Sequence, residues 1–270
     1  MSRELADSDI PAIAQFLSVE RLAALVTLTG STREAIRLHQ QILQLGTSLM
    51  TVTAVIEIAL RNSICECLSQ HFGTAGWLLH PPAPFKWRIV EENLVKRALE
   101  SARRAAYAKL TQADKHALDS LAYPNGRPLN ISHSKRSKDR QSKIVVSDGK
   151  IIAELTMFFW KRMFASEYEQ ALWRTSLKRL FPNKKLRRAE IAEQLEKIYQ
   201  TRNRLAHHEP VFGRRLDETL AAINFVTDNL GSTKASKDTA LAKLLFDEII
   251  SVTEQSKALD ARLASFRTGP

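Results

Sequence analysis

The sequence predicts an all-α protein, and three observations carry that prediction. Apolar residues recur at steps of three and four over long stretches. No segment of useful length alternates apolar and polar residues as a half-buried strand would. Only nine glycines and nine prolines interrupt 270 residues, so the chain has little turn chemistry and favours long helices over many short strands.

Each element has its own signal. Ser18 is placed to cap a helix over "VERLAALVTLTG", which Gly30 stops. Ser31 and Glu34 form a capping box, and the row Ile36, Ile42, Leu45, Leu49, Val52, Ile56, Leu60, Ile64, Leu68 and Phe72 follows. This spells one very long helix in the N-terminal half, or two joined near Gly46, ending at Gly73. "TAGWLLHPPAPFKW" is a proline-punctuated loop. A charged helix is expected over about 86–109 and a shorter one from Thr111 to Ala122.

Residues 123–148 leave the pattern. "YPNGRPLN" forms turns, and "SHSKRSKDRQSK" is basic and aperiodic, which reads as a loop. Two readings stand for it: a solvated surface loop, or an arm that holds phosphates with Lys135, Arg136, Lys138, Arg140 and Lys143.

Helical pattern returns at Asp148, with Phe158, Phe159 and Trp160 expected in the core. Ser166 and Glu169 form a second capping box for a helix that Pro182 closes. The next helix, from Lys184, presents Ile191, Leu195, Ile198 and Leu205 inward. Pro210 disfavours helix at Glu209, so "TRNRLAHHEP" forms its last turns. Helices over about 216–230 and 237–266 finish the chain, giving extra helices at both ends of a multi-helix bundle. The domain reading is 1–232 as the main helical domain, loop 123–148 included, with 233–270 as a helical extension packed on it.

Forty Lys and Arg against 29 Asp and Glu leave a net charge of +11, which favours an anionic partner, nucleic acid before membrane. No apolar run reaches the roughly 18 residues a membrane span needs, and the N-terminus lacks the features of a signal peptide. A cytoplasmic protein without membrane contact is expected. Cys65 and Cys67, at i and i+2, point to different sides of a helix and read as two separate thiols.

"RNRLAHHE" concentrates the chemistry. Asn203 and His207 are four apart and share a helical face, as do Arg204 and His208, and Arg202 flanks them with a long side chain. An imidazole near neutrality moves protons, and a guanidinium answers developing charge on a phosphate. RNA cleavage through the 2′-hydroxyl needs both and no metal. A solvated, capped helix end remains the plain alternative. A metal set of His207, His208 and Glu209 is disfavoured because adjacent residues diverge on a helix and no H-E-x-x-H pattern accompanies them. No cofactor is expected. On the long helix, Glu57, Arg61 and Asn62 interrupt an apolar face. They are either a surface ion pair with a neighbour or a polar set paired to the 202–208 helix.

"RNRLAHHEPVF" resembles the signature of the Abi-like family, abortive-infection proteins of the AbiD/AbiF type within the HEPN superfamily: an Arg, a polar residue and, four to six positions on, a His. Here these are Arg202, Asn203 and His207. "FLSVERL", "IEIALRNSICECLSQHFG", "SHSK" and "ELTMFFWKRMF" followed by "LWRTSLKRLFP" are similar to the family's other blocks in the same order, over about residues 16–212. The resemblance implies a HEPN-like helical bundle and metal-independent RNase activity in prokaryotic antiphage or toxin defence. It also implies a homodimer that joins two Arg…His motifs in one composite site. On it, His207 is the general acid or base, Arg202 stabilises the transition state and Asn203 orients the phosphate or His207. His208, Glu57, Arg61 and Asn62 are supporting residues. RNA is the expected partner, with an antitoxin or other defence-system protein as a further one. A non-catalytic RNA-binding protein is the alternative within the same family.

Overall fold

A computed structural model of the chain describes residues 5–267. Every regular element among the described residues is helical. In order they are α1 Ile10–Leu17, α2 Val19–Thr29, α3 Thr32–Phe72, α4 Ile89–Ala108, α5 Gln112–Ala122, α6 His133–Ser142, α7 Asp148–Glu154, α8 Met157–Arg162, α9 Arg188–Ala206, α10 Arg214–Asn229, α11 Ala240–Leu244 and α12 Phe246–Arg267. Short 3-10 and π turns connect some of them. The chain divides into two compact units, residues 1–60 with 180–270, and residues 61–179. Of the 1–232 and 233–270 division, residues 1–4 and 268–270 lie outside the described residues. Within the rest, α11 and α12 share a unit with α1, α2, α9 and α10.

The first unit is built on the opening turns of α3. Ser18 caps α2 by accepting from the Arg21 amide at 3.4 Å, and Gly30, at φ +66°, ends it in the left-handed conformation that glycine adopts without strain. α3 is one helix, unbroken at Gly46. Ile36, Ile42, Leu45, Leu49, Val52, Ile56 and Leu60 are all at most 5% exposed. Truncating one such leucine to alanine typically costs about 2–5 kcal/mol. α12 is tied to α3 by Arg262 Nη2 donating to Glu34 at 2.8 Å and Gln255 Nε2 donating to Ser48 Oγ at 2.9 Å.

α3 also bears on the membrane expectation. An 18-residue window of it is long and apolar enough to cross a membrane, although no uninterrupted run is. Thr47, Ser48, Thr51 and Thr53 break the run without making the stretch polar. A single such helix is weak support for a span, because the core helix of a soluble protein passes the same test.

The second unit takes the last turns of α3, with Ile64 and Leu68 buried, and packs α4 against α7. Glu91 on α4 is fully buried, and its carboxylate accepts from Arg162 Nε and, at 2.7 Å, from the Tyr168 hydroxyl. A desolvated carboxylate is tolerated when it is met by a cation and a second donor. Cys65 and Cys67 are separate thiols. Burial pushes Cys65 up to about 11 and raises Cys67, whose Sγ–H donates to the Ser176 carbonyl at 3.4 Å. Both are therefore poor nucleophiles at neutral pH.

Two segments of this unit differ from the sequence reading. The basic run at 133–142 is the helix α6, capped by Ser132. It is held by Asp119 on α5, which accepts from Arg140 Nε at 2.7 Å and Arg136 Nε at 3.1 Å. Its aperiodicity in the sequence reflects a helix fastened by charge, not by an apolar stripe. The stretch after α8 is not an α-helix either. The N-cap is Ala165, not Ser166, and it makes no side-chain cap bond; Ser166 Oγ donates to the neighbouring Glu167, and Glu169 pairs with Arg174. A 3-10 turn and a π-helical stretch, Glu169–Trp173, carry the chain instead. This widening lets Tyr168, Leu172, Trp173 and Leu177 all turn inward. Phe159 and Trp160 are in the core as expected, while Phe158 is half-buried beside the Lys161 ammonium.

Arg140 and then Arg136 hold the Asp119 carboxyl far below the usual carboxylate range. A depressed folded-state pKa contributes stability above the unfolded value, near 4, and that stability is lost as pH falls below it. Asp119→Asn should therefore cost about 1–2 kcal/mol at pH 7 by urea unfolding, the figure being kept small by the 21% exposure of Asp119. The gap to the native chain should close progressively below about pH 4.

Candidate functional site

The site is the C-terminal end of α9, and packing on two sides fixes its orientation. Leu205, 7% exposed, lies against Gly46, where an added Cβ would sit 3.3 Å from Leu205 Cδ2. On the other side Thr201 Oγ1 and Thr219 Oγ1 on α10 are 2.7 Å apart, both buried. Thr219 gives its only hydroxyl proton to the Arg215 carbonyl at 2.8 Å, so Thr201 is the donor of the pair.

The helix stops earlier than the proline rule places it. Its last residue is Ala206, and His207 is the C-cap, at φ −96° and ψ 12°. His208 follows at φ +54°, a left-handed conformation. The Glu209 amide donates to the Arg204 carbonyl at 2.9 Å and the His208 amide to the Leu205 carbonyl at 3.0 Å. These two bonds are the Schellman motif, with histidine where glycine is usual. Both histidines thus sit just past the helix and are exposed. The helical pairing of Arg204 with His208 does not occur; Arg204 Nη1 binds Glu209 at 2.6 Å, across the motif.

Arg202 reaches α3. Its Nε lies 3.7 Å from Glu57 Oε2, with the side chains 33% and 18% exposed. Asn203 is half-buried one residue on, and its carbonyl accepts from the His207 amide at 3.2 Å. Of the supporting residues, Glu57 alone is joined to Arg202 within this unit. Arg61 and Asn62 belong to the other unit, where Arg61 Nε donates to Asn62 Oδ1 at 3.4 Å.

The five basic residues of 135–143 separate into two kinds. Arg136 and Arg140 are committed to Asp119, and Lys135 to Asp139 at 2.5 Å. Lys138 and Lys143 are exposed. Among the described residues, no group of three or more His, Cys, Asp or Glu side chains converges as metal ligands would.

Two residues beside the site were not singled out from the sequence. Arg21 on α2 donates to the His208 carbonyl at 3.4 Å. His39, between Ile36 and Ile42 in the inner row of α3, is buried, and its Nδ1 has no hydrogen-bond partner. Burial, then the positive charge of Arg21, holds it below the usual imidazole range. A histidine interrupting an apolar row was the available signal.

A left-handed non-glycine residue costs about 1–2 kcal/mol, against which glycine loses about 0.4–1 kcal/mol more entropy on folding. His208→Gly should accordingly raise stability by about 0.5–1 kcal/mol in urea unfolding at an unchanged m-value. A loss of stability would mean that the ring, not the backbone, holds this turn. Compared with known proteins, the chain matches no family model, no curated protein and no solved structure.

Proposed function

We propose that the protein is a metal-independent endoribonuclease of prokaryotic antiphage or toxin defence, HEPN-like in its Arg-x4-His motif. In this reading it acts in the cytoplasm as a homodimer that brings two motifs together. The observation that carries the reading is the anchoring of Arg202. Glu57 holds one edge of its guanidinium while part of the side chain stays exposed, five residues before an exposed His207. An arginine steadied in this way is pre-organised to meet a phosphate.

The reaction is a transesterification. The ribose 2′-oxygen bonds to phosphorus, the bond to the 5′-oxygen breaks, and the products are a 2′,3′-cyclic phosphate and a 5′-hydroxyl. His207 takes the 2′-proton or supplies one to the leaving oxygen, two roles that paired motifs divide between them. Arg202 answers the charge gathering on the phosphate oxygens, and Asn203 orients either the phosphate or the ring. His208 is a neighbour held by its turn.

A second reading, a non-catalytic RNA-binding protein or a toxin component held by an antitoxin, draws support from the net charge of +11 and from exposed Lys138 and Lys143. The two readings separate in one assay. On the first, purified protein cuts single-stranded RNA in the presence of EDTA and leaves cyclic phosphate ends. Arg202→Ala or His207→Ala each lowers the rate by about 100-fold or more with an unchanged circular dichroism spectrum. Glu57→Gln has a milder effect, about tenfold, through loss of orientation. Full cleavage by the Arg202→Ala/His207→Ala double variant overturns the assignment. Salt-sensitive binding without cleavage moves it to the second reading.

A further inference from the structure

The first unit carries a trough of about 960 Å³ between α2, α3 and the segment after α9. Along α3 its lining runs from His39 to Val55, about 24 Å at 1.5 Å per residue. Its walls are mainly aliphatic, Leu25, Ile42, Met50 and Leu205 among them, with Phe212 the one benzene ring. The volume lies at the upper end of the range for small-molecule sites, which are mostly apolar with a few placed polar groups.

Here the placed groups are one cation, Arg21, and two imidazoles, His39 and His208. Glu209 also lines the trough but is paired with Arg204 at 2.6 Å, and Glu20, exposed at the rim, accepts from the Ser18 hydroxyl at 2.5 Å and keeps its charge. Arg21 has no carboxylate partner among the described residues; its one bond goes to the His208 carbonyl. His39 opens the α3 lining at 6% exposure; its unpartnered Nδ1 is sealed from solvent and is not the atom that meets the trough. A guanidinium without a carboxylate partner beside this ring favours an anion.

We propose that this trough binds a single long aliphatic chain carrying one carboxylate, an amphiphile of the fatty-acid class. Arg21 and His39 hold the head group, and the chain lies along α3 towards Val55. The one cation without a carboxylate partner, Arg21, lies near His39, which suits one anionic head at that end. The proposal does not rest on the ribonuclease reading, and its test needs no RNA.

Titration calorimetry of the full chain with octanoate, decanoate and dodecanoate, all below micelle formation, tests it. Affinity should rise about fourfold per added methylene. Arg21→Gln should weaken dodecanoate about tenfold or more, and dodecanol should bind as weakly to the native chain as dodecanoate does to that variant. Ala54→Trp, at an exposed position in the lining, should abolish binding with the thermal midpoint unchanged. No binding of dodecanoate, no dependence on chain length, or equal affinity in Arg21→Gln overturns the proposal. So does co-sedimentation with phospholipid vesicles by a protein that does not bind dodecanoate.

Discussion

The close approach of α9 to α3 at Gly46 sets the rest of the site. A glycine inside a helix costs about 0.5–1 kcal/mol relative to alanine. Here it removes the side chain that would otherwise meet Leu205, and Leu205 is buried in exchange. Once α9 is seated, Arg202, three residues before Leu205, lies on the same side of its helix and faces α3. Glu57 follows Gly46 by eleven residues, about three whole turns, so it occupies nearly the same face of α3. Gly46 leaves room for Leu205, whose Cδ2 would have to give by a few tenths of an ångström to meet a methyl there.

The Arg202–Glu57 pair is not a source of much stability. Both groups keep contact with solvent, and the 3.7 Å separation is an ion-pair contact, not a short hydrogen bond. Such pairs contribute about 0–1 kcal/mol. Their physical consequence is orientation, since the long arginine side chain has many conformers and the carboxylate removes most of them. The contrast with Glu91 is instructive. That carboxylate is fully buried and met by two strong donors, so removing a partner there exposes an uncompensated charge and threatens the fold.

How much was legible in the sequence follows the range of the forces involved. The buried row of α3, the caps at Ser18 and Gly30, and the inner face of α9 are local periodicities and local hydrogen bonds, and they read directly. α6 did not, because its holding contacts lie at Asp119, 17 and 21 residues before Arg136 and Arg140. A basic run looks solvated until its acid is found. The irregular turns after α8 were also hidden: the serine and glutamate spacing of a capping box was present, but burial of Tyr168, Leu172 and Trp173 together demanded a wider turn. Glu57 was legible as a polar break in an apolar face, whereas its partner on α9 had to be found in space. The extent of α9 was misjudged because Pro210 limits only Glu209, and the Schellman bonds end the helix three residues sooner.

The turn at His208 is where local strain and local chemistry meet. Glycine is the least costly residue for a left-handed C′ position, yet the chain places an imidazole there. The motif's own hydrogen bonds are made by backbone atoms and need no particular side chain. Arg21 binds the His208 carbonyl, and the residue lines the aliphatic trough while the preceding His207 stays in solvent. Two adjacent histidines, alike in the sequence, are separated by a reversal of φ, so that one borders the trough and the other caps the end of α9.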